Sequence, residues 1–205
     1  MPERLLLFAH GAGAPSASHW MQSWARRLSS LGSVVTFDYP YMRERRRRPD
    51  PQPKLIEAHR QALAEARTAE PDKAVVLAGK SMGSRIGCHV ALEEPVSALV
   101  CFGYPLKAAG ARATVRDQVL VELKMPILFV SGSRDALCPL ELLETVRARM
   151  RAPNELHVVD GGDHSLAVAK SRLAEAGERQ ADVDQRILSA VTQFVERHTA
   201  PAPEV

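Results

Sequence analysis

Long apolar runs are missing from this chain. No stretch approaches the roughly 20 consecutive apolar residues of a membrane span. The run Leu5-Leu6-Leu7-Phe8-Ala9 is too short for a secretory signal and passes straight into His10-Gly11-Ala12-Gly13, a loop and not a cleavage site. Cysteine is scarce: Cys88, Cys101 and Cys138 form neither a CxxC pair nor a zinc-like spacing, which leaves reduced, packed thiols as the expectation. Charge of one sign is also lacking. With 27 basic against 24 acidic residues the net charge is only +3, and this does not point to nucleic acid or a membrane surface. A soluble, cytoplasmic protein is expected, without a nucleic-acid or membrane partner. Its oligomeric state stays open.

What is present is an alternation of short apolar runs with helix-length amphipathic stretches, the pattern of a parallel sheet covered by helices. Leu5–Ala9, Val34–Phe37, Ala74–Ala78, Ala98–Phe102, Ile127–Val130 and Glu155–Val159 are the expected strands. Several are continuously apolar, as strands buried on both faces are. Helices are expected over about 19–31, 54–69 and 140–150, the second from Leu55, His59, Leu63 and Ala66 at helical spacing. A further helix follows the third strand, with Ile86 and Val90 on one face. The last helix carries Val183, Ile187, Val191 and Phe194 on one stripe. No repeat or dividing linker interrupts the chain. It is therefore expected to be a single α/β domain over 1–199 with one doubly wound, six-stranded parallel sheet, and 200–205 form a flexible tail. Two long loops, about 41–53 and 106–122, are where functional residues are most readily hidden.

The third strand runs into Gly79-Lys80-Ser81-Met82-Gly83, a G-x-S-x-G between a strand and a helix. A nucleophile held on so tight a turn leaves no room for Cβ atoms two residues away on either side. Asp135 follows the fifth strand in Ser131-Gly132-Ser133-Arg134-Asp135, and His164 follows the sixth in Asp160-Gly161-Gly162-Asp163-His164. All three lie at the C-terminal edge of the sheet, where open α/β sheets place their sites. Serine, then acid, then histidine is the order of one well-known family of nucleophilic triads. An oxyanion hole needs two backbone N–H groups aimed at the developing charge. Met82 is expected to supply one, and the glycine-bearing loop after the first strand the other, from Ala12 first and from Gly13 as the close alternative.

These residues carry a resemblance. With HGAGA at 10–14, PYMRERRRRPDPQPKL at 40–55, GKSMGSR at 79–85, GYPL at 103–106, SGSRD at 131–135 and DGGDHS at 160–165, the chain resembles the α/β-hydrolase superfamily over nearly its whole length. It is similar to a small lidless branch that includes dienelactone hydrolases. That branch also looks related to a testis-expressed hydrolase-like protein and to a subunit of a histone acetyltransferase complex. The resemblance implies strand order 2-1-3-4-5-6, Ser81, Asp135 and His164 as triad, and Ala12 with Met82 as oxyanion donors. It further implies cleavage of an ester or related acyl bond of a small soluble substrate through an acyl-enzyme, with no cofactor and no metal. Two departures accompany it. The usual first two strands are not expected, because HGAG begins after only nine residues, and about 20 residues between Tyr104 and Pro126 leave no room for a cap domain.

Competing readings attach to individual residues. Asp160 and Asp163 rival Asp135 as the acid, although adjacent side chains such as Asp163 and His164 usually diverge. The same residues imitate a metal cluster, but no second histidine stands at ligand spacing. His10 suits a structural role beneath the oxyanion loop, and His157 suits packing within a strand. Lys80 is expected to point to solvent or to an acidic neighbour, and Cys138 to be a packed small residue. Gly13, Tyr104 and Leu106 are candidates for the substrate pocket. Arg43, Glu44, Arg45, Arg46, Arg47 and Arg48 read first as a solvated loop, ahead of a partner or anionic-substrate patch; only Tyr41 offers a stacking aromatic. At the level of the whole protein, the rival to an ester-cleaving enzyme is a catalytically weak scaffold with the same fold. A thioesterase or peptidase would use the same triad.

Overall fold

The computed structural model describes residues 4–108 and 114–200. Its elements follow in the order β1 (Arg4–Ala9), α1 (His19–Leu28), β2 (Ser33–Phe37), α2 (Pro40–Arg43), α3 (Gln52–Ala69), β3 (Ala74–Lys80), α4 (Met82–Val90), β4 (Ala98–Phe102), α5 (Gln118–Glu122), β5 (Ile127–Gly132), α6 (Leu140–Arg147), β6 (Asn154–Val159), α7 (Lys170–Glu175) and α8 (Gln180–Thr199). The strands form one sheet in the order β2-β1-β3-β4-β5-β6, and every neighbouring pair is parallel. Helices flank this all-parallel sheet, and among the described residues no cap domain is inserted between β4 and β5.

The apolar runs are explained by the two sides of the sheet. Successive strand side chains point to opposite faces, and here both faces are covered. Leu5, Leu7, Leu77, Cys101 and Phe129 face α3, α4, α5 and α6, packing on Leu63, Cys88, Leu120 and Leu143. Leu6, Phe8, Val76, Phe102 and Val130 face α1 and α8, packing on Trp24, Leu28, Ile187, Val191 and Phe194. All of β1 from Leu5 to Ala9 is fully buried, so a polar residue anywhere along it would lose its water without gaining a partner. The outer strands differ. β2 is only half-buried throughout, and Val158 of β6 is exposed.

The helices α2, α5 and α7 were not expected. Each is six residues or shorter, too short to establish a helical periodicity in sequence. α1 and α6 also end earlier than expected, at Leu28 and Arg147, each passing into a tighter turn. Of the expected tail, 201–205 lie outside the described residues, as do 109–113 of the second long loop, including Arg112. Among the described residues no helix is long and apolar enough to cross a membrane.

Candidate active site

The turn between β3 and α4 holds Ser81 at φ 50, ψ −111, a conformation costly for a residue with a Cβ. Close packing enforces it. A Cβ at Gly79 would fall within 3.0 Å of the Gly83 backbone, and one at Gly83 would fall as close to the carbonyl of Ala9 on β1. The turn is pinned by Ser81 N–H donating to the Phe102 carbonyl (2.9 Å) and by the Ser84 hydroxyl donating to the Gly79 carbonyl (2.5 Å). The two glycines are thus required by the approach of α4 to β1 and β3, as the motif implied.

His164, in the loop after β6, brings Nε2 to 2.8 Å from Ser81 Oγ and Nδ1 to 2.7 Å from Asp135 Oδ2. The Asp135 side chain has no solvent exposure, and its other oxygen accepts the Leu137 N–H at 2.8 Å. A carboxylate with both oxygens accepting hydrogen bonds requires Nδ1 of His164 to be the protonated nitrogen. Nε2 is then left as an acceptor for the Ser81 hydroxyl. The rival carboxylates are engaged elsewhere. Asp163 Oδ1 accepts the N–H groups of Ser165 (2.7 Å) and Ala167 (3.0 Å), closing its own loop. Asp160 pairs with Arg172 and accepts from the Ser133 hydroxyl (3.3 Å). Among the described residues no group of three potential metal ligands comes together.

The loop after β1 lies against the nucleophile: a Cβ at Gly11 would sit 3.5 Å from Ser81 Cβ. Beneath it His10 is fully buried, with Nδ1 donating to the Gly11 carbonyl (2.6 Å) and Nε2 accepting the Tyr39 N–H (3.2 Å). Burial lowers its pKa, so the ring stays neutral in that role. Holding the Gly11 carbonyl on one side turns the N–H of Ala12, across the same trans peptide, to the other. The Tyr41 hydroxyl donates to the Ala12 carbonyl at 3.0 Å and fixes the next peptide in the same way. Met82 opens α4, whose first N–H groups have no acceptor within the helix and carry its positive dipole end. In the sequence Tyr41 reads only as a stacking aromatic beside the arginines. Nothing local marks a tyrosine that reaches a carbonyl 29 residues away.

Three expectations change on inspection of the side chains. Lys80 points neither to solvent nor to a carboxylate: Nζ donates to the carbonyl of His164 and lies 5.2 Å from the centre of the Trp20 ring. Burial pulls its pKa down to about 8, against the opposing pull of Asp135 and Asp163. Trp20 in turn donates its indole N–H to the Ser165 carbonyl at 3.1 Å, so two consecutive carbonyls of the histidine loop are held from outside it. Tyr104 and Leu106 contribute no wall to an open pocket. Both are fully buried in the core on the α5–α6 side, and the Tyr104 hydroxyl donates to the Arg116 carbonyl (2.9 Å). Gly13, by contrast, is exposed beside Ala12 at the rim of a depression that also takes in Arg45, Arg46 and Arg47. Cys138 is packed and its thiol pushed up to about 12 by burial; Cys88 and Cys101 are buried free thiols.

The pattern of the alpha/beta hydrolase domain family matches residues 2–196. Among solved structures, the chain is similar to an alpha-beta serine hydrolase homologue from Coxiella burnetii, with TM-score 0.70 and 19% identity over 97% of this chain and 86% of that one. It is also similar to a dienelactone hydrolase from Anabaena variabilis (TM-score 0.71, 20% identity, 97% and 88% covered). A Xanthomonas campestris α/β serine hydrolase without a lid gives TM-score 0.73 at 15% identity, with 99% and 85% covered. Among curated proteins, Protein sumv-2 of Caenorhabditis elegans is 28% identical over 127 residues, 61% of this chain. The chain spans 11% of that relative's length.

Proposed function

The chain belongs to the alpha/beta hydrolase family, whose general chemistry is hydrolysis, and from that premise we propose that it is a serine hydrolase cleaving carboxylic ester or closely related acyl bonds of small soluble substrates. The observation that carries the proposal is the continuous hydrogen-bonded line from Asp135 through His164 to Ser81, at 2.7 and 2.8 Å, ending on a strained and partly exposed serine.

Ser81 Oγ attacks the substrate carbonyl carbon while His164 Nε2 takes its proton. Asp135 keeps the proton of Nδ1 in place and stabilises the imidazolium that forms. The oxyanion meets the N–H groups of Ala12 and Met82, each such donor being worth about 10²–10³ in rate. The imidazolium then gives its proton to the leaving oxygen and the acyl-enzyme remains. Water, deprotonated by the same imidazole, attacks that ester, and collapse of the second tetrahedral intermediate returns Ser81 and releases the acid. No step calls on a residue outside this set.

The test is labelling with a fluorophosphonate probe, which reacts with an activated serine. Wild-type protein is expected to label at Ser81, and Ser81→Ala to fold normally without labelling. Folded wild type that does not label, or that labels elsewhere, would move the protein to the scaffold reading.

A further inference from the structure

The loop after β2 is ordered by a buried anchor. Asp50 Oδ2 accepts the Tyr41 N–H at 3.0 Å, while Oδ1 pairs with Arg46 (2.7 Å) and Lys54 (3.3 Å). Arg46 N–H donates to the Tyr41 carbonyl, and Arg46 is further paired with Glu44. Tyr41 also holds the Ala12 carbonyl, so the arginine loop and the oxyanion loop are bolted together through one side chain. Where they meet lies a depression of about 580 Å³, lined by Ala12, Gly13 and Pro15 of the oxyanion loop and by Met42, Arg45, Arg46 and Arg47 of the arginine segment.

The acids of this region are already engaged. Asp50 and Glu44 serve Arg46, and Asp38 accepts the Ser16 N–H (2.7 Å) beside His10. Arg45 and Arg47 have no carboxylate within 4.0 Å among the described residues, and both are exposed. Two unpaired guanidinium groups on the wall of a concave site form a receptor for a planar anion, because the guanidinium fork matches a carboxylate with two parallel hydrogen bonds.

Sheet order decides which end of a substrate reaches them. His164 and Asp135 come from the β5–β6 side of Ser81, and the arginine loop comes from β2, on the opposite side of β3. The leaving group must stand at His164 to receive its proton, so the acyl group extends away from it. We infer that the depression is an acyl-side subsite for a carboxylate, and that the preferred substrates are esters whose acyl chain ends in one. This rests on Ser81 acting as the acyl acceptor.

The experiment compares mono-p-nitrophenyl adipate with p-nitrophenyl hexanoate, which share a leaving group and chain length and differ in the terminal carboxylate. Rates are corrected for spontaneous hydrolysis. Wild-type kcat/KM is expected to favour the adipate by about two- to fivefold for each arginine engaged, the range of a solvent-exposed ion pair. Arg45→Gln/Arg47→Gln should bring the adipate-to-hexanoate ratio of kcat/KM to within about twofold of unity. Arg43→Gln/Arg48→Gln, which removes the same charge outside the depression, should keep most of the preference. Equal rates for the two esters in wild type would overturn the subsite while leaving the hydrolase intact. So would a preference that survives Arg45→Gln/Arg47→Gln, or one lost equally in both double variants, which would mark general electrostatic steering. If neither ester turns over and the probe fails to label Ser81, the hydrolase reading falls and the subsite falls with it.

Discussion

Asp135→Asn tests the proposed triad most severely, because the structure dictates how the amide must sit. Asp135 receives hydrogen bonds on both oxygens, from His164 Nδ1 (2.7 Å) and from the Leu137 N–H (2.8 Å), in a place without solvent. An asparagine offers only one acceptor. If its oxygen faces His164, its NH₂ confronts the Leu137 N–H, and a buried donor left unpaired costs about 1–3 kcal/mol. The lower-energy arrangement keeps the oxygen on Leu137 and turns the NH₂ to His164. Nδ1 must then be the acceptor and Nε2 carries the proton, so it is unable to receive the one from Ser81. The expected loss in kcat is about 10⁴, corresponding to ~5.5 kcal/mol of transition-state stabilisation. The fold should persist, because one hydrogen bond is exchanged for another of similar length; the change in unfolding free energy should stay within about 2 kcal/mol. The assay is p-nitrophenyl butyrate hydrolysis beside urea denaturation. Asp163→Asn is the control: it retains an acceptor for the Ser165 and Ala167 N–H groups and should lose less than about tenfold. The opposite ranking of the two variants would refute the assignment of the acid.

Lys80→Met removes the donor to the His164 carbonyl, and the resulting misplacement of the imidazole should lower kcat by about ten- to hundredfold with little change in KM. Because burial pulls the ammonium pKa down to about 8, wild-type activity should also decline above that pH as the hydrogen bond loses its charge, a limb that Lys80→Met should not show. A variant with unchanged kcat and the same alkaline limb would count against this role. His59 is fully buried with its pKa lowered to about 3 by desolvation, so the unfolded chain binds a proton between pH 6.5 and about 3 that the folded protein refuses. Stability should therefore fall as pH drops through that window, by about 1.4 kcal/mol per unit from this residue. His10, His89 and His157, also shifted down, act in the same direction. His59→Gln keeps an acceptor for the Tyr39 hydroxyl and should show a smaller slope in urea titrations; an equal slope would rule this origin out. Across neutral p-nitrophenyl esters from acetate to palmitate, kcat/KM should peak at or below about six carbons. Beyond Ala12 the depression offers only Pro15 and Met42 as larger apolar residues beside three arginines, too short a stretch of the surface that adds up to ~0.8 kcal/mol per buried CH₂ to hold a long chain. A maximum at long chains, or a jump at the micelle threshold, would refute the open site.

Much of this protein is determined by local sequence. The apolar runs demanded strands buried on both faces, because a parallel sheet covered by helices leaves no polar side. The spacing Gly79-Ser81-Gly83 demanded a turn with no space for a Cβ on either flank, and the structure has the Ser81 φ of 50 and the backbone approaches that explain it. Placement of Asp135 and His164 just beyond strand ends was legible for the same reason: a parallel sheet collects all such ends on one edge. Tertiary structure decided what lies at a distance along the chain. It set Asp135, and not Asp163, against His164: Asp163 spends its oxygen on its own turn, while Asp135 reaches across 29 residues to Nδ1. It turned Lys80 inward to a carbonyl 84 residues away, beside the ring of Trp20 from α1. It withdrew Tyr104 and Leu106 into the core through packing of β4 against β5 and α5, contacts that no local pattern specifies. And it tied the loop that carries the arginines to Ala12 through Tyr41, placing a charge cluster that reads in sequence as a solvated segment on the lining of the depression beside Ala12. The division follows from range: periodicity and steric spacing act within a few residues, whereas a hydrogen-bond partner is chosen only when the packed sheet brings distant loops to the same edge.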